Sequence, residues 1–303
     1  MRGQYNIMVR TIGFIGLGTM GAPMATNIHN AGYSLGVFNR SPEKTKPFRK
    51  EGIPVYESSG ELTAESDVII IMVTGPDALS EVLQTENGVL EELTPDSIVI
   101  NMSTVSHQAT MRAADLVASH NGEFLDIPVS GTRKPAEDGT LVVLAGGEED
   151  TVHELTPLLK TMGKEIIYCG ALGQGTNMKL MINLLLGAMM QGFAEALTLG
   201  KKLHLDPEAM MKTIDSGGLS SVFFTAKGQA IRQANFTKNF PVDLMLKDLN
   251  LVLEAGGENG VPLPQTSVTR EMFSAARGAG YGDQDMAAVI KVLEKIAGVE
   301  VRD

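Results

Sequence analysis

The chain's 303 residues are long for one hydrophobic core and comfortable for two, so neither metals nor disulfides are needed to hold it. Its 36 acidic side chains outnumber 25 basic ones, and the net charge of −11 repels a nucleic-acid backbone. With 43% hydrophobic and 20% charged residues the composition is that of a soluble globular protein, no apolar run approaches the roughly 20 residues of a membrane helix, and neither nucleic acid nor membrane is expected as a partner.

In chain order, Met1 to Arg10 lacks the apolar core of a secretion signal and reads as a short unstructured lead-in, with Met8 a second candidate start. Short β-type runs then alternate with helical segments: TIGFI at Thr11 to Ile15, SLGVF at Ser34 to Phe38, DVIIIMV at Asp67 to Val73, SIVINM at Ser97 to Met102, LVVLAG at Leu141 to Gly146 and EIIYCG at Glu165 to Gly170. Several are apolar on both faces, as a parallel strand covered on both sides must be, which predicts an α/β fold with a doubly wound sheet. From Gly173 the texture changes. MKLMINLLLGAMMQGFAEALTLGKKL has no proline and is rich in Leu, Met and Ala; only helical segments follow it. We therefore expect two domains, 1–172 and 173–303, the second all-α and entered by one long helix. Its methionines are expected to fill core or subunit contacts, giving a homodimer or homotetramer.

The stretch GFIGLGTMG holds Gly16, Gly18 and Gly21 in G-x-G-x-x-G spacing, after a strand and before a helix. The first glycine permits a tight turn, the second lets a pyrophosphate approach the backbone, and the third brings helix and strand together. The predicted sheet is thus of the Rossmann type, with Leu17, Thr19 and Met20 completing the cofactor loop. A carboxylate at the end of the second strand would hold a ribose 2′-hydroxyl, but this chain reads VFNRSPEK there. Asn39, Arg40, Ser41 and Lys44 suit a 2′-phosphate better, so NADP(H) is the expected cofactor; the bland alternative is that Arg40 is a solvated loop charge. Val73, closing the third run, is taken as a further cofactor contact.

Two later segments carry the chemistry. In FLDIPVSGTRKPAEDGTL, Ser130, Gly131 and Thr132 offer hydroxyls and N–H groups to a carboxylate. In GQGTNMKLMIN, Lys179 and Asn183 share a helix face. A partly desolvated lysine beside a cationic nicotinamide can act as general acid or base. Spacing alone leaves the simpler reading open, that Lys179 points to water. The five histidines are scattered and none pairs at metal-ligand spacing, so no metal is expected. Ser130 lacks the nucleophile elbow G-x-S-x-G. The lone Cys169 cannot form an internal disulfide, which suits a reducing cytoplasm, and it is expected to pack as a small apolar side chain.

Four motifs in order, GFIGLGTMGAPMA, DIPVSG from Asp126, GQGTNMKLMIN and KDLNLVLE from Lys247, make the whole chain resemble the β-hydroxyacid dehydrogenase family. The resemblance implies that Lys179 is the catalytic acid/base, that Asn183 orients it or the substrate, and that Ser130 to Thr132 binds the substrate carboxylate. It also implies cofactor contacts at Thr104 and Lys247, with Asp248 supporting that lysine. Most members have glycines where this chain has Thr132 and Pro135, and SGTRKPAEDG is similar to the glyoxylate/succinic semialdehyde reductase branch. That branch implies NADPH and a phenylalanine near the substrate, matched by Phe240. The expected activity is therefore NADPH-dependent reduction of short aldehyde acids. A 3-hydroxyisobutyrate or tartronate semialdehyde activity, an imine reductase and a non-catalytic NADP-binding interaction domain are the alternatives. Asp285 resembles a family position near the site, and an N-cap of the last helix explains it about as well.

Overall fold

The computed structural model describes residues 10–302; apart from Arg10, the lead-in lies outside the described residues. The chain divides into two compact units between Lys179 and Leu180.

In the first unit, strands β1 (Ile12–Ile15), β2 (Leu35–Phe38), β3 (Val68–Ile71), β4 (Ile98–Asn101), β5 (Glu123–Asp126), β6 (Val129–Ser130) and β7 (Leu141–Gly146) lie in the order β2-β1-β3-β4-β5-β7-β6, and β8 (Gly163–Gly170) pairs with β7. The first five are mutually parallel, whereas β7 runs antiparallel to β5 and β6. Because side chains alternate across a strand, the same runs feed two cores. Ile12, Phe14, Val68, Ile70 and Ile100 meet helices Gly21–Asn30 and Glu149–Leu159 on one face. Ile15, Ile69, Ile71 and Val99 meet helices Pro76–Gln84 and His107–Ser119 on the other. This is the doubly wound Rossmann-like arrangement that the runs predicted. The sequence reading did not identify β5 and β6 as strands. Proline at position 128 separates them, leaving only two residues for β6, too few for a periodic signal.

The second unit is helical. Met190, Phe193, Ala194 and Leu197 of the long helix Gln174–Lys202 pack with Met245 and Leu249 of helix Val242–Glu258, Phe273 of helix Pro264–Ala276, and Met286 to Ile290. Among its described residues the only strand-like pairing is a single bridge, Pro241 to Asp285.

One expectation changes. The helix Gln174–Lys202 is, by length and composition, apolar enough to cross a membrane, because Lys179, Asn183 and Gln191 interrupt it too sparsely to lower its hydropathy. Part of it is buried inside the protein, where Met190 and Phe193 belong to the second core, so it serves here as a core helix. The compact units meet at Lys179 and Leu180 because the first turn of this helix is bound to the sheet. Asp126 carries that attachment.

Candidate functional site

The chain turns at Gly16, directly after β1, with φ +99°; a Cβ there would stand 2.2 Å from the carbonyl oxygen of Met72. A Cβ at Gly21 would stand 1.9 Å from the carbonyl oxygen of Gly16. These two glycines are required by the protein's own packing. Gly18 differs: a Cβ there meets nothing within 4 Å. Nothing among the described residues of the unit demands glycine at that position, which leaves the backbone there open to close approach by a ligand. The helix Gly21–Asn30 that follows has no side-chain cap at Met20 and no acid in its first turn, which suits its amino end to an anion. The loop therefore fits the pyrophosphate of a dinucleotide. It also lies where the strand order reverses about β1 and β3, the place at which open α/β sheets bind ligands.

Asn39 shapes this loop from the end of β2. Its Oδ1 accepts from the Leu17 N–H at 2.7 Å and its Nδ2 donates to the Ser41 carbonyl at 3.0 Å. Arg40 is exposed, with Nη1 3.0 Å from Glu81 Oε2. Ser41 precedes the 3₁₀ turn Pro42–Thr45, which carries the exposed Lys44. Val73 and Thr104 follow β3 and β4 at the same carboxyl edge as the glycine loop, and the Val73 N–H donates to Ser103 Oγ at 2.8 Å. Thr19 is exposed on the loop, while Leu17 is buried beneath it.

Ser130 closes β6 opposite Val142, Gly131 turns with φ +141°, and Thr132 precedes helix Arg133–Glu137 without using its hydroxyl as a cap. Beside this strand the long helix starts. Asp126, fully buried at the end of β5, accepts from the N–H groups of Gly173 at 2.8 Å and Thr176 at 2.6 Å. The Thr176 and Thr110 hydroxyls meet at 2.9 Å. At Gly175 a Cβ would lie 2.2 Å from the carbonyl oxygen of Asp126, so only glycine lets the helix approach this closely. Burial pushes the Asp126 carboxyl above its ordinary range, against the pull of the two N–H donors. The half-buried Lys179 follows within the same compact unit. Sequence reasoning marked Asp126 only as the head of a motif; its role depends on partners 47 and 50 residues away.

In the second unit Asn183 Nδ2 donates to Asp248 Oδ2 at 2.7 Å, both side chains being buried. Lys247 Nζ is 2.7 Å from Asp248 Oδ1, an ion-pair contact without hydrogen-bond alignment. Asn183 Oδ1 is buried with no hydrogen-bond partner among the described residues. These three residues form one cluster. Phe240 stands apart on the segment before helix Val242–Glu258, half-buried, its N–H bound to Asp285. Asp285 is indeed an N-cap, of the 3₁₀ turn Met286–Val289 leading into the last helix.

Residues 11–170 match the family described as the NAD binding domain of 6-phosphogluconate dehydrogenase. Residues 173–293 match that described as NAD-binding of NADP-dependent 3-hydroxyisobutyrate dehydrogenase. The chain is 34% identical to glyoxylate/succinic semialdehyde reductase 1 of Arabidopsis thaliana, over 93% of this chain and 98% of that protein. It is 38% identical to 2-(hydroxymethyl)glutarate dehydrogenase of Eubacterium barkeri, over 96% and 97%. The chain belongs to the β-hydroxyacid dehydrogenase family. The solved 3-hydroxyisobutyrate dehydrogenase of Mycobacterium tuberculosis shares this fold at TM-score 0.86 and 31% identity, covering 94% of this chain and 99% of that one. As a β-hydroxyacid dehydrogenase, the protein is an NAD(P)-dependent oxidoreductase acting on CH–OH groups.

Proposed function

We propose that the protein reduces short aldehyde acids, succinic semialdehyde and glyoxylate first among them, with NADPH. The observation that carries this reading is that one compact unit contains the glycine loop, the Ser130–Thr132 turn and Lys179. Arg40 at the end of β2, with no carboxylate at Asn39, supports NADPH over NADH. The loop SGTRKPAEDG and the likeness to the Arabidopsis reductase support the substrate class.

Bound NADPH supplies the hydride for the substrate's carbonyl carbon. The hydroxyls of Ser130 and Thr132 and the turn at Gly131 hold the substrate carboxylate. Lys179 faces the carbonyl oxygen with its ammonium and transfers a proton to it as negative charge develops there, a stabilisation of a few kcal/mol in such sites. In the second unit Asp248 fixes Asn183, whose Oδ1 remains a hydrogen-bond acceptor, and Lys247 and Phe240 are read as contacts of the cofactor and of the substrate's carbon chain.

A second reading has its own support. The greater identity to the Eubacterium barkeri enzyme favours a branched diacid, whose hydroxymethyl group would be formed from a formyl group. NADPH and NADH consumption with succinic semialdehyde, glyoxylate, 2-formylglutarate and methylmalonate semialdehyde separates these cases. The main proposal expects the highest kcat/KM with NADPH and one of the first two. A dominant activity on 2-formylglutarate would replace it with the second reading.

The acting form is a homodimer or homotetramer in a reducing cytoplasm. Support for assembly comes from Met181, Leu185 and Leu199, which are 46%, 49% and 61% exposed along one face of the long helix.

A further inference from the structure

The second unit buries an ion pair that the proposed chemistry does not use. Lys227, on helix Val222–Arg232, and Asp285 are 8% and 2% exposed. Lys227 Nζ donates to Asp285 Oδ1 at 2.7 Å and to Oδ2 at 2.8 Å. The same carboxylate accepts from the Phe240 N–H at 3.2 Å and the Ala287 N–H at 3.0 Å, so each oxygen takes two donors. The backbone adds a short ribbon around Phe240: the Met286 N–H donates to the Phe240 carbonyl at 2.8 Å, Val242 N–H to Gln284 at 2.9 Å, and Asp285 N–H to Phe236 at 3.1 Å.

A cap alone does not account for this arrangement, because capping uses one acceptor oxygen and Asn or Ser performs it without a lysine. Nor does core stability, since two charges lose their hydration here and apolar side chains of similar volume would hold a core about as well. What the pair adds is a fixed place for the groups its carboxylate binds. The Phe240 amide is one of them.

We propose that Lys227 and Asp285 are positioning residues that hold Phe240 in place and thereby set the fit of the substrate's carbon chain. The proposal rests on the reading of Phe240 as a substrate-facing residue. The protein contains no tryptophan, so Phe240→Trp places a single emitter at the position in question.

In that background Lys227→Met is expected to shift the emission to the red and raise acrylamide quenching, and Lys227→Arg to leave both near the parent. In the Phe240 protein, Lys227→Met should raise KM for succinic semialdehyde about tenfold while kcat changes less than about threefold and the NADPH Kd stays the same. If Lys227→Met leaves Asp285 uncompensated and does not fold, the double variant Lys227→Met/Asp285→Asn carries no unpaired charge and is read the same way. Unmoved emission, or moved emission with an unchanged KM, overturns the proposal. Were the unmodified protein inactive on every aldehyde acid, the functional reading would fall, and the emission alone would decide whether the pair fixes position 240.

Discussion

Replacing each motif glycine by alanine separates what the fold requires from what the cofactor requires. A methyl at Gly16 would lie 2.2 Å from the Met72 carbonyl oxygen, where ordinary contact begins at 3.4 Å, and its φ of +99° is one that alanine rarely adopts. That oxygen belongs to the backbone beyond β3 and cannot rotate away. Gly21→Ala is tighter still, at 1.9 Å from a backbone oxygen. Each should cost at least about 1–3 kcal/mol of stability. Beyond its chain neighbours Gly18→Ala meets no atom of the described residues within 4 Å, and its φ lies outside the left-handed range. It should leave stability unchanged or raise it by about 0.4–1 kcal/mol through the unfolded chain. Its methyl stands instead where a pyrophosphate must approach, and the NADPH Kd should rise about 10- to 100-fold. Thermal unfolding measures the first quantity and NADPH fluorescence titration the second. A stable Gly18→Ala protein that binds NADPH like the parent would refute the reasoning, because the glycine would then have no ligand to serve.

Glu81→Gln frees Arg40 from an exposed ion pair of the kind that contributes about 0–1 kcal/mol, so NADPH should bind up to about fivefold more tightly and NADH as before. An equal gain for both cofactors in parallel titrations would show that Arg40 does not meet the 2′-phosphate. Asp126 bears on pH. With its native pKa above the ordinary 3.8, the folded protein keeps a proton that the unfolded chain has released. Stability therefore falls as pH rises from that value to the native one, and levels off above it. Urea midpoints across this window should lose that slope in Asp126→Asn, which also leaves one of the two N–H donors unpaired at a cost of about 1–3 kcal/mol. Superimposable pH profiles would show that the carboxylate makes no such contribution.

Features fixed by neighbouring residues were legible in the sequence. The β-branched runs around Ile69 and Val99 declared buried strands, and the glycine spacing after β1 declared the tight turn into the helix Gly21–Asn30. Lys179 and Asn183 could be placed on one helix because four residues make about one turn. Features made by distant partners were not legible. Asp126 as the anchor of the long helix and the Lys227–Asp285 pair join residues 47 to 58 positions apart, and no local periodicity marks such pairs. Asn39 shows a third case. Its position was read for what it does to a ribose, whereas its side chain is bound to the loop backbone, so the absence of a carboxylate there also has an internal cause.

If Lys179 supplies the proton while an aldehyde acid is reduced, removing its ammonium must slow turnover and spare cofactor binding. Steady-state NADPH consumption by the unmodified protein and by Lys179→Ala, with succinic semialdehyde and with the NADPH Kd measured alongside, tests it most directly. Turnover should fall about 10²- to 10⁴-fold with Kd unchanged. Turnover in Lys179→Ala equal to that of the parent would contradict it.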